Sequence, residues 1–423
     1  MLLASALLFV VLVALGAPVA LVFLAVTGLW IAFEPAVMDV AVAQRIVAGT
    51  QSFPLLAVPL FVLAGELMNA SGITTRVMRF ALVLTRRVSG GLAKTNILLS
   101  TMLSGMSGSA NGDAAMQSRV LVPQMAARGY PLPFSAALTA SSALIAPLIP
   151  PGISLILFGF VTDTSIGSLF LGAVLPGLLL TAMLMGHVHL AARRAGWDGP
   201  RERTEDEPGV GEALLGALPA IGMPVLIIAG IRLGAFTPSE AGGLAVAYTL
   251  VFAAVYREAR WSDLLAALRG TVATTSAILL VIAASAALTW VLTFERVPQA
   301  VGEAMLAATD RPVLMLTLVS VILLLAGMIV EGTALILVLA PMFMPVAQQI
   351  GIDPVHFGVV FVFMIHLGGI TPPVGTVMFT TCAATGVPVA DFARAVAPFL
   401  ATFLATAAVL VLVPGVSTLL GGL

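Results

Sequence analysis

A stretch of this sequence occurs twice, at a fixed separation and without a gap. Seven positions have an identical residue 222 positions later: Leu103 with Leu325, Gly105 with Gly327, Met106 with Met328, Pro123 with Pro345, Gly129 with Gly351, Pro150 with Pro372, and Pro151 with Pro373. Because Gly and Pro have specific backbone roles, these matches indicate a duplicated structure rather than shared composition. Each copy contains an apolar segment, a break, a second apolar segment and a helix interrupted by Pro-Pro. Interrupted hydrophobic segments at matching places in two halves are typical of secondary transporters, whose substrate and ions bind at the breaks.

The composition requires a membrane environment. Of 423 residues, 60% are hydrophobic and 9% are charged, so a soluble domain of this size would lack polar side chains for its surface. Apolar runs of about 20 residues cross a bilayer as helices, because hydrocarbon offers no water to satisfy backbone groups. The sequence therefore predicts an all-α polytopic membrane protein that contacts the lipid bilayer. Cys382 is the only cysteine, which excludes an intramolecular disulfide, and no basic stripe indicates nucleic-acid binding.

One polar segment divides the chain. Residues 193–212 contain four Arg and six acidic residues without an apolar run, and they predict a cytoplasmic linker between a first half, 1–192, and a second half, 213–423. Each half is predicted to contain a re-entrant helical hairpin followed by a Pro-broken helix. The expected bounds of hairpin and broken helix are about 95–128 and 133–160 in the first half, and about 312–350 and 354–385 in the second.

The charge around the two copies predicts their orientation. Residues 76–128 carry seven basic side chains and one acidic side chain, whereas the matching window, 298–350, carries one basic and three acidic side chains. Basic residues concentrate in short loops on the cytoplasmic side of a membrane. The first hairpin is therefore expected to enter from the cytoplasm and the second from the opposite face, which makes the halves inverted-topology repeats. The alternative is a local compositional bias with no topological meaning.

The first break is rich in groups that bind ions and polar ligands. Residues 104–113 contain three Gly, three Ser, one Asn and one Asp. Non-helical backbone at membrane depth is tolerated only where it lines a polar cavity or is buried in protein. We identify Ser109, Asn111 and Asp113 as candidate substrate-binding residues. The alternative is an ordinary turn between two full spans, but 114–127 is short for a span at about 1.5 Å per residue.

The second break is more apolar but carries a carboxylate. Glu331 lies in an apolar hairpin, and an ionisable group at membrane depth marks a functional site by default. We expect it to pair with a cation, a substrate group or a backbone donor, and we assign Glu331 and Thr333 to the substrate-binding candidates. The alternative for both Asp113 and Glu331 is a neutral, hydrogen-bonded structural acid.

Each Pro-Pro pair frees backbone carbonyl groups. A proline removes a backbone donor, so carbonyls about one turn earlier, at 146–149 and 368–371, lose their helical partner. By the pseudo-symmetry, each hairpin tip is expected to face the Pro-Pro break that follows it, which gives two cation sites of similar design. Three further substrate-binding candidates lie beside the breaks: Ser141, Ser142 and Thr376.

Over nearly its whole length the chain resembles the large membrane subunit of the tripartite ATP-independent periplasmic (TRAP) transporters. The motifs that carry the resemblance are Gly112–Ala115, Ala140–Ser142, Pro150–Gly152, Gly234–Ala241, Gly351–Gly358 and Thr371–Gly375. The resemblance implies a Na⁺-driven importer of small organic acids in the bacterial inner membrane, an elevator mechanism and no enzymatic activity. It further implies two or more Na⁺ ions without an organic cofactor, a periplasmic substrate-binding protein that delivers the substrate, and a small four-helix membrane subunit, here a separate chain.

The resemblance also assigns residues to the two Na⁺ sites. It places the first site on Ser104, Ser107, Ala146, Ile149 and Pro150. It places the second site on Gly327, Gly368, Thr371 and Val374. Four positions depart from the family pattern: Ala146 replaces a common Gly, Glu331 a usual Asp, Met364 a frequent Asn, and His366 is unusual at its place.

Two other functional classes match individual features. The segment Gly105-Met106-Ser107-Gly108 has the GxSG form of a rhomboid-type intramembrane serine protease, for which His366 would be the base. However, the repeat aligns Ser107 with Ile329, as expected for a symmetric ion site rather than a nucleophile. A cation channel or proton-pump subunit would place ionisable residues along its spans, whereas the only lysine, Lys94, is expected in a loop.

Overall fold

Helices form the elements of the described structure. The computed structural model describes residues 2–34, 39–199 and 208–421. The first half contains α1 (Leu2–Ala14), α2 (Val19–Phe33), α3 (Asp39–Thr50), α4 (Ala57–Ala70), α5 (Ile73–Thr85), α6 (Gly91–Ser107), α7 (Ala110–Ala127), α8 (Leu132–Ala143), α9 (Ile153–Thr162) and α10 (Ile166–Ala195). The second half contains α11 (Val210–Arg232), α12 (Pro238–Tyr256), α13 (Trp261–Phe294), α14 (Val297–Ala308), α15 (Pro312–Gly327), α16 (Gly332–Gln349), α17 (Pro354–Gly368), α18 (Thr376–Thr385), α19 (Val389–Leu412) and α20 (Gly415–Gly421). A short 3₁₀ helix, Phe53–Leu56, precedes α4.

Several helices are long and apolar enough to cross a bilayer. Within the described residues there are seven: the segment Phe53–Ala70, which ends in α4, and helices α10, α11, α12, α13, α16 and α19. Shorter apolar helices, among them α9, α15, α17 and α18, reach only part of the way. The architecture is that of an all-α polytopic membrane protein, as the composition predicts.

Each half contains a helical hairpin followed by a broken helix. Helices α6 and α7 are joined by a turn at Gly108, which has a positive φ of 55°, and helices α15 and α16 by a turn at 328–331. The segment around each Pro-Pro pair separates α8 from α9 and α17 from α18, and both Pro-Pro peptide bonds are cis. Chain order is the same in the two halves, because α6 to α9 correspond to α15 to α18.

The hairpins and broken helices pack together across the two halves. Helices α6 and α7 pack on α8, and α15 and α16 pack on α17. In addition, α7 of the first half packs on α18 of the second, and α9 packs on α16. Between α9 and α17 the rings of Phe158 and Phe361 lie 5.3 Å apart, and both side chains are fully buried. These contacts bring the two tips and the two breaks to one place.

A second group of helices forms a packed layer, of which α4, α5 and α11 also pack on α6 of the first hairpin. Helix α4 packs on α12, α5 on α11, and the 34-residue α13 on α2, α3 and α4. Helix α13 also contacts α16, so one face of it closes the side of the region where the tips meet.

Two expectations about polar segments are corrected by the structure. Lys94 does not lie in a loop: it is in the first turn of α6, is 7% exposed, and its Nζ lies 2.9 Å from Nδ1 of His189 on α10. The expected linker also begins later than its composition suggests, because α10 continues to Ala195. Trp197 then packs its ring 4.8 Å from Phe134, which fastens the start of the linker to α8. Linker residues 200–207 lie outside the described part of the chain.

Candidate functional site

A cavity lies where the two hairpin tips and the two breaks meet. Its volume is about 380 Å³, within the range of small-molecule binding pockets. The first half contributes residues around the tip of the first hairpin and the start of α9. The second half contributes residues around the tip of the second hairpin, the end of α17 and the start of α18. Helix α13 supplies the remaining wall. The lining residues are Gly108, Ser109, Ala110, Asn111, Ile153, Ser154, Thr274, Ala277, Ile278, Val281, Glu331, Gly332, Thr333, Ile365, His366, Gly369, Thr376 and Val377.

Five of the eight predicted substrate-binding residues line this cavity. They are Ser109, Asn111, Glu331, Thr333 and Thr376. Asp113 lies one turn further along α7, is 2% exposed, and lines a second cavity of about 480 Å³. The two cavities share Ser109, Ile153 and Thr274, so they are neighbours along the tip of the first hairpin.

The other two candidates, Ser141 and Ser142, lie away from the cavity. Both are fully buried in α8, and neither is among the lining residues. The hydroxyl of Ser142 donates to Oδ1 of Asn96 at 2.6 Å, and Nδ2 of Asn96 donates to Oγ1 of Thr139 at 2.7 Å. Ser142 therefore joins α8 to α6 in a buried hydrogen-bond network, which is a packing arrangement.

The two hairpin tips cap their second helices in the same way. Oγ of Ser109 accepts a hydrogen bond from the backbone N–H of Gly112 at 3.2 Å. At the positions 222 residues later, Oε2 of Glu331 accepts from the backbone N–H of Ala334 at 3.3 Å. Oε1 of Glu331 also accepts from the hydroxyl of Thr333 at 2.9 Å. Of the partners considered for Glu331 from the sequence, the structure shows a backbone donor, and the carboxylate satisfies orphan N–H groups at the start of α16.

Four helices begin at the cavity wall. These are α7 at Ala110, α9 at Ile153, α16 at Gly332 and α18 at Thr376. The first turn of a helix presents backbone N–H groups without intrahelical partners and carries a partial positive charge. Among the described residues that line the cavity, none is Lys or Arg. An anion in this cavity would therefore be held by helix N-termini and hydroxyl groups rather than by a basic clamp.

The first hairpin tip contacts the first Pro-Pro break through its glycines. A Cβ added to Gly105 would lie 3.3 Å from the carbonyl oxygen of Pro150, and one added to Gly108 would lie 2.9 Å from that of Pro151. Ser104 is fully buried, and its hydroxyl donates to the carbonyl of Ser100. The side chain of Ser107 lies outside the described part of the structure.

The second tip contacts the second break even more closely. A Cβ added to Gly327 would lie 2.4 Å from the carbonyl oxygen of Ile365, and one added to Gly368 would lie 2.4 Å from the carbonyl carbon of Gly327. The backbone N–H of Gly375 donates to the carbonyl of Met328 at 2.9 Å. Only glycine permits backbones to approach to this distance.

Several of the predicted cation ligands have carbonyl oxygens without a backbone donor. Among the described non-helical segments, no backbone N–H donates to the carbonyls of Ala146, Ile149 or Pro150. The same holds in the second half for Thr371 and Val374, whereas the carbonyl of Gly368 accepts from the N–H of Thr371 at 2.9 Å. Ala146 and Pro150 are buried, whereas Val374 is 38% exposed. A buried carbonyl that lacks a donor needs another partner, and a hard cation is one.

Sequence reasoning missed Ser154 and gave His366 a role only as the base of the alternative protease. Ser154 is 4% exposed in the first turn of α9, and its Oγ lies 3.1 Å from Nε2 of His366 on α17. The repeat register contained a signal for Ser154, because its counterpart 222 positions later is Thr376, a predicted candidate. No equivalent signal existed for His366, since Leu144 occupies the matching position.

The comparisons with known proteins agree with this architecture. Residues 6–416 match the family model described as "Tripartite ATP-independent periplasmic transporter, DctM component". The chain is 35% identical over 404 residues to the 2,3-diketo-L-gulonate TRAP transporter large permease protein YiaN of Escherichia coli (strain K12), covering 95% of this chain and 94% of that one. It is 36% identical over 381 residues to the sialic acid TRAP transporter large permease protein SiaM of Vibrio cholerae, covering 89% and 88%.

Solved structures show the same fold at low sequence identity. The crystal structure of the YdaH transporter of Alcanivorax borkumensis superposes with a TM-score of 0.59 at 18% identity, covering 89% of this chain and 86% of that one. The family match and the relatives are transporter components, which removes the intramembrane protease from consideration. The chain belongs to the DctM component family of the tripartite ATP-independent periplasmic transporters and is a membrane transporter permease rather than an enzyme.

Proposed function

We propose that this protein imports a small organic acid into the cell by Na⁺-coupled secondary transport. The observation that carries the proposal is the convergence of four helix N-termini, those of α7, α9, α16 and α18, on one cavity without a lining Lys or Arg. Backbone N–H groups and helix dipoles stabilise a carboxylate, each terminus contributing about 0.3–1 kcal/mol, more where it is partly buried. The carboxylate of Glu331 already caps α16, so the starts of α7, α9 and α18 remain for the substrate. A carboxylate held in this way carries its charge into the membrane, so it needs an accompanying cation.

The two hairpin tips and the two Pro-Pro breaks supply the proposed ligands of that cation. The first Na⁺ is assigned to Ser104, Ser107, Ala146, Ile149 and Pro150. The second Na⁺ is assigned to Gly327, Gly368, Thr371 and Val374. The carbonyls without a backbone donor at these positions fit a hard cation. The close backbone approach between Gly327 and Gly368 holds the second tip against the second break. The Na⁺ ions neutralise the substrate and add their concentration gradient to the driving force.

The packing supports movement of the hairpins as one body. The crossed pairs α7 with α18 and α9 with α16 tie the two halves together around the cavity. Helix α13 packs against this body through α16. The face of α13 that lines the cavity consists of residues at helical spacing: Thr274, Ala277, Ile278 and Val281. A face of this kind is smooth and forms few polar contacts that movement would break. We infer an elevator mechanism in which the body slides along α13 and the layer behind it.

The membrane orientation and the partners follow from the same proposal. The basic excess around the first hairpin supports a cytoplasmic base for it, and the acidic charge of the second hairpin supports its entry from the periplasm, as inverted repeats require. The bacterial inner membrane is the expected location. A periplasmic substrate-binding protein would deliver the acid, and a small four-helix membrane subunit would brace the fixed layer.

Reconstituted transport tests the proposal. The permease and its small subunit, in proteoliposomes with an inward Na⁺ gradient, should accumulate the organic acid only when the loaded binding protein is present outside. Replacing Na⁺ by K⁺ should reduce accumulation to the level of empty liposomes. Equal accumulation in Na⁺ and K⁺ would refute the coupling, and accumulation without the binding protein would refute its role.

A further inference from the structure

The helix starts that face the cavity differ in how many backbone N–H groups they leave without a partner. Of the three starts that remain for a substrate, α7 uses the N–H of Gly112 to bond Oγ of Ser109 at 3.2 Å. At the start of α18, the N–H groups of Val377 and Met378 both donate to the carbonyl of Gly369, at 2.9 Å and 3.1 Å. These two starts are therefore partly satisfied by the protein itself.

Helix α9 is the start whose first donors stay open. Its N-cap residue, Gly152, makes no side-chain cap, and the N–H groups of Ile153 and Ser154 donate to no acceptor in the described part of the chain. A Cβ added to Gly108 would lie 3.0 Å from the nitrogen of Ile153, so glycine at this place leaves that donor uncovered. Two adjacent N–H groups at a helix start suit the two oxygens of one carboxylate.

The wall from α13 gives a second carboxylate no comparable donor. Its lining residues are Thr274, Ala277, Ile278 and Val281, of which the last three are apolar. Thr274 lies at the junction with the second cavity, which it also lines. A charged group against the three apolar side chains would lose its water without gaining a hydrogen bond, whereas an apolar group of a ligand would pack there favourably.

The other polar groups of the cavity do not replace a basic residue. Both oxygens of Glu331 accept hydrogen bonds, and at a separation of about 10 Å and an effective dielectric constant of about 20 its charge disfavours a second carboxylate about tenfold. Both ring nitrogens of His366 are engaged within the protein, Nδ1 with the carbonyl of Val362 at 2.7 Å and Nε2 with Oγ of Ser154 at 3.1 Å. Arg119 lines the second cavity and not this one, about 15 Å along α7 from the tip.

We propose that the cavity selects acids with a single carboxylate and an apolar far end, and that it rejects dicarboxylates of the same length. The carboxylate binds at the start of α9, and the rest of the molecule packs on Ala277, Ile278 and Val281. Helix α9 thus recognises the charge of the ligand, and α13 recognises its far end. The inference rests on the proposed function and deepens it, because it names the class of organic acid.

The test measures ligand binding to the purified complex of the permease and its small subunit in Na⁺, by thermal stabilisation. The probes are pairs of acids of equal carbon number that differ in having a methyl or a carboxylate at the far end: propionate with malonate, butyrate with succinate, and hexanoate with adipate. We expect at least one monocarboxylate to stabilise the complex at a concentration about tenfold lower than its dicarboxylate partner. Equal or stronger stabilisation by the dicarboxylates, or no stabilisation by any of these acids, overturns the inference.

Substitutions at Ala277 test the cause of this preference. Ala277 is exposed on the cavity wall, so a longer side chain can be accommodated there. Ala277→Arg adds the missing basic group and should reduce the preference for the monocarboxylate to less than about threefold. Ala277→Gln adds a long side chain without charge and should keep the preference. Stabilisation by Na⁺ alone shows that each variant is folded, and a preference that Ala277→Arg leaves unchanged overturns the inference.

A second variant tests the same point if Ala277→Arg does not fold. Glu331→Gln removes the like charge from the cavity and should lower the preference at least about threefold. The matched control is Asp391→Asn, at an exposed carboxylate outside the cavity, and it should keep the full preference. A folded Glu331→Gln complex with the full preference overturns the inference. Each of these results leaves the proposed function standing, since that function is tested by Na⁺-dependent uptake with the binding protein.

Discussion

Replacing Gly368 by alanine inserts a methyl group where two backbones touch. The added Cβ would lie 2.4 Å from the carbonyl carbon of Gly327 and 2.6 Å from its Cα. Backbone atoms cannot rotate away, so α15 and α17 must separate by about 1 Å to restore van der Waals contact. Overpacking of this kind costs about 1–3 kcal/mol. Because Gly327 and Gly368 are proposed ligands of one Na⁺, we expect the Na⁺ concentration for half-maximal uptake to rise about 5- to 150-fold.

The assay is a Na⁺ titration of uptake in proteoliposomes. The matched control is Gly186→Ala in α10, where an added Cβ has nothing within 4 Å, and we expect it to keep the Na⁺ dependence of the unmodified protein. Size-exclusion profiles establish that both variants are folded. A folded Gly368→Ala protein with unchanged Na⁺ dependence would refute the assignment of this contact to a cation site.

Further predictions concern helix caps and the base of the first hairpin. Ser109→Ala and Ser165→Ala each remove an N-cap hydrogen bond, at about 0.5–2 kcal/mol, and both should lower the melting temperature. Only Ser109→Ala should also raise the substrate concentration for half-maximal uptake, because Ser165 does not line the cavity; equal effects would contradict this. Asp198→Ala should destabilise the protein by about 1.5–3 kcal/mol, since Oδ2 accepts from the N–H of Leu92 at 2.7 Å, and a melting curve measures the loss. Asp391→Ala, at an exposed ion pair, should change the melting temperature little, and a drop as large as that of Asp198→Ala would contradict this reasoning.

Most of the architecture could be predicted from the register of the internal repeat. Gly and Pro have backbone requirements that do not depend on tertiary context, so Gly105 with Gly327, and each Pro-Pro pair, marked backbone breaks that the structure contains. The same reasoning placed Ser109 and Glu331 at matching positions, where both cap helices. Features that depend on the backbone requirements of particular residues can therefore be predicted from the sequence.

Features that depend on packing between helices could not be predicted from the sequence. Ser141 and Ser142 are small polar residues beside a break, and composition cannot tell whether a helix turns them toward a cavity or toward a neighbouring helix. Lys94 was expected in a loop, yet α6 starts before it, and its ammonium group lies beside His189 of α10. The contact of His366 is with Ser154, which approaches it from another helix 212 positions earlier. Contacts at such a separation have no local signature.

The central claim is that the same cavity opens alternately to the two sides of the membrane. The most direct test is to measure from which side of the membrane a cysteine in the cavity wall can be labelled. Cys382 is the only cysteine, so Cys382→Ser provides a background for a single Thr333→Cys substitution in the cavity wall. We predict that a membrane-impermeant maleimide labels this site from one side with Na⁺ alone, and from the other side once the loaded binding protein engages the complex. Labelling confined to the same side under both conditions would contradict the account.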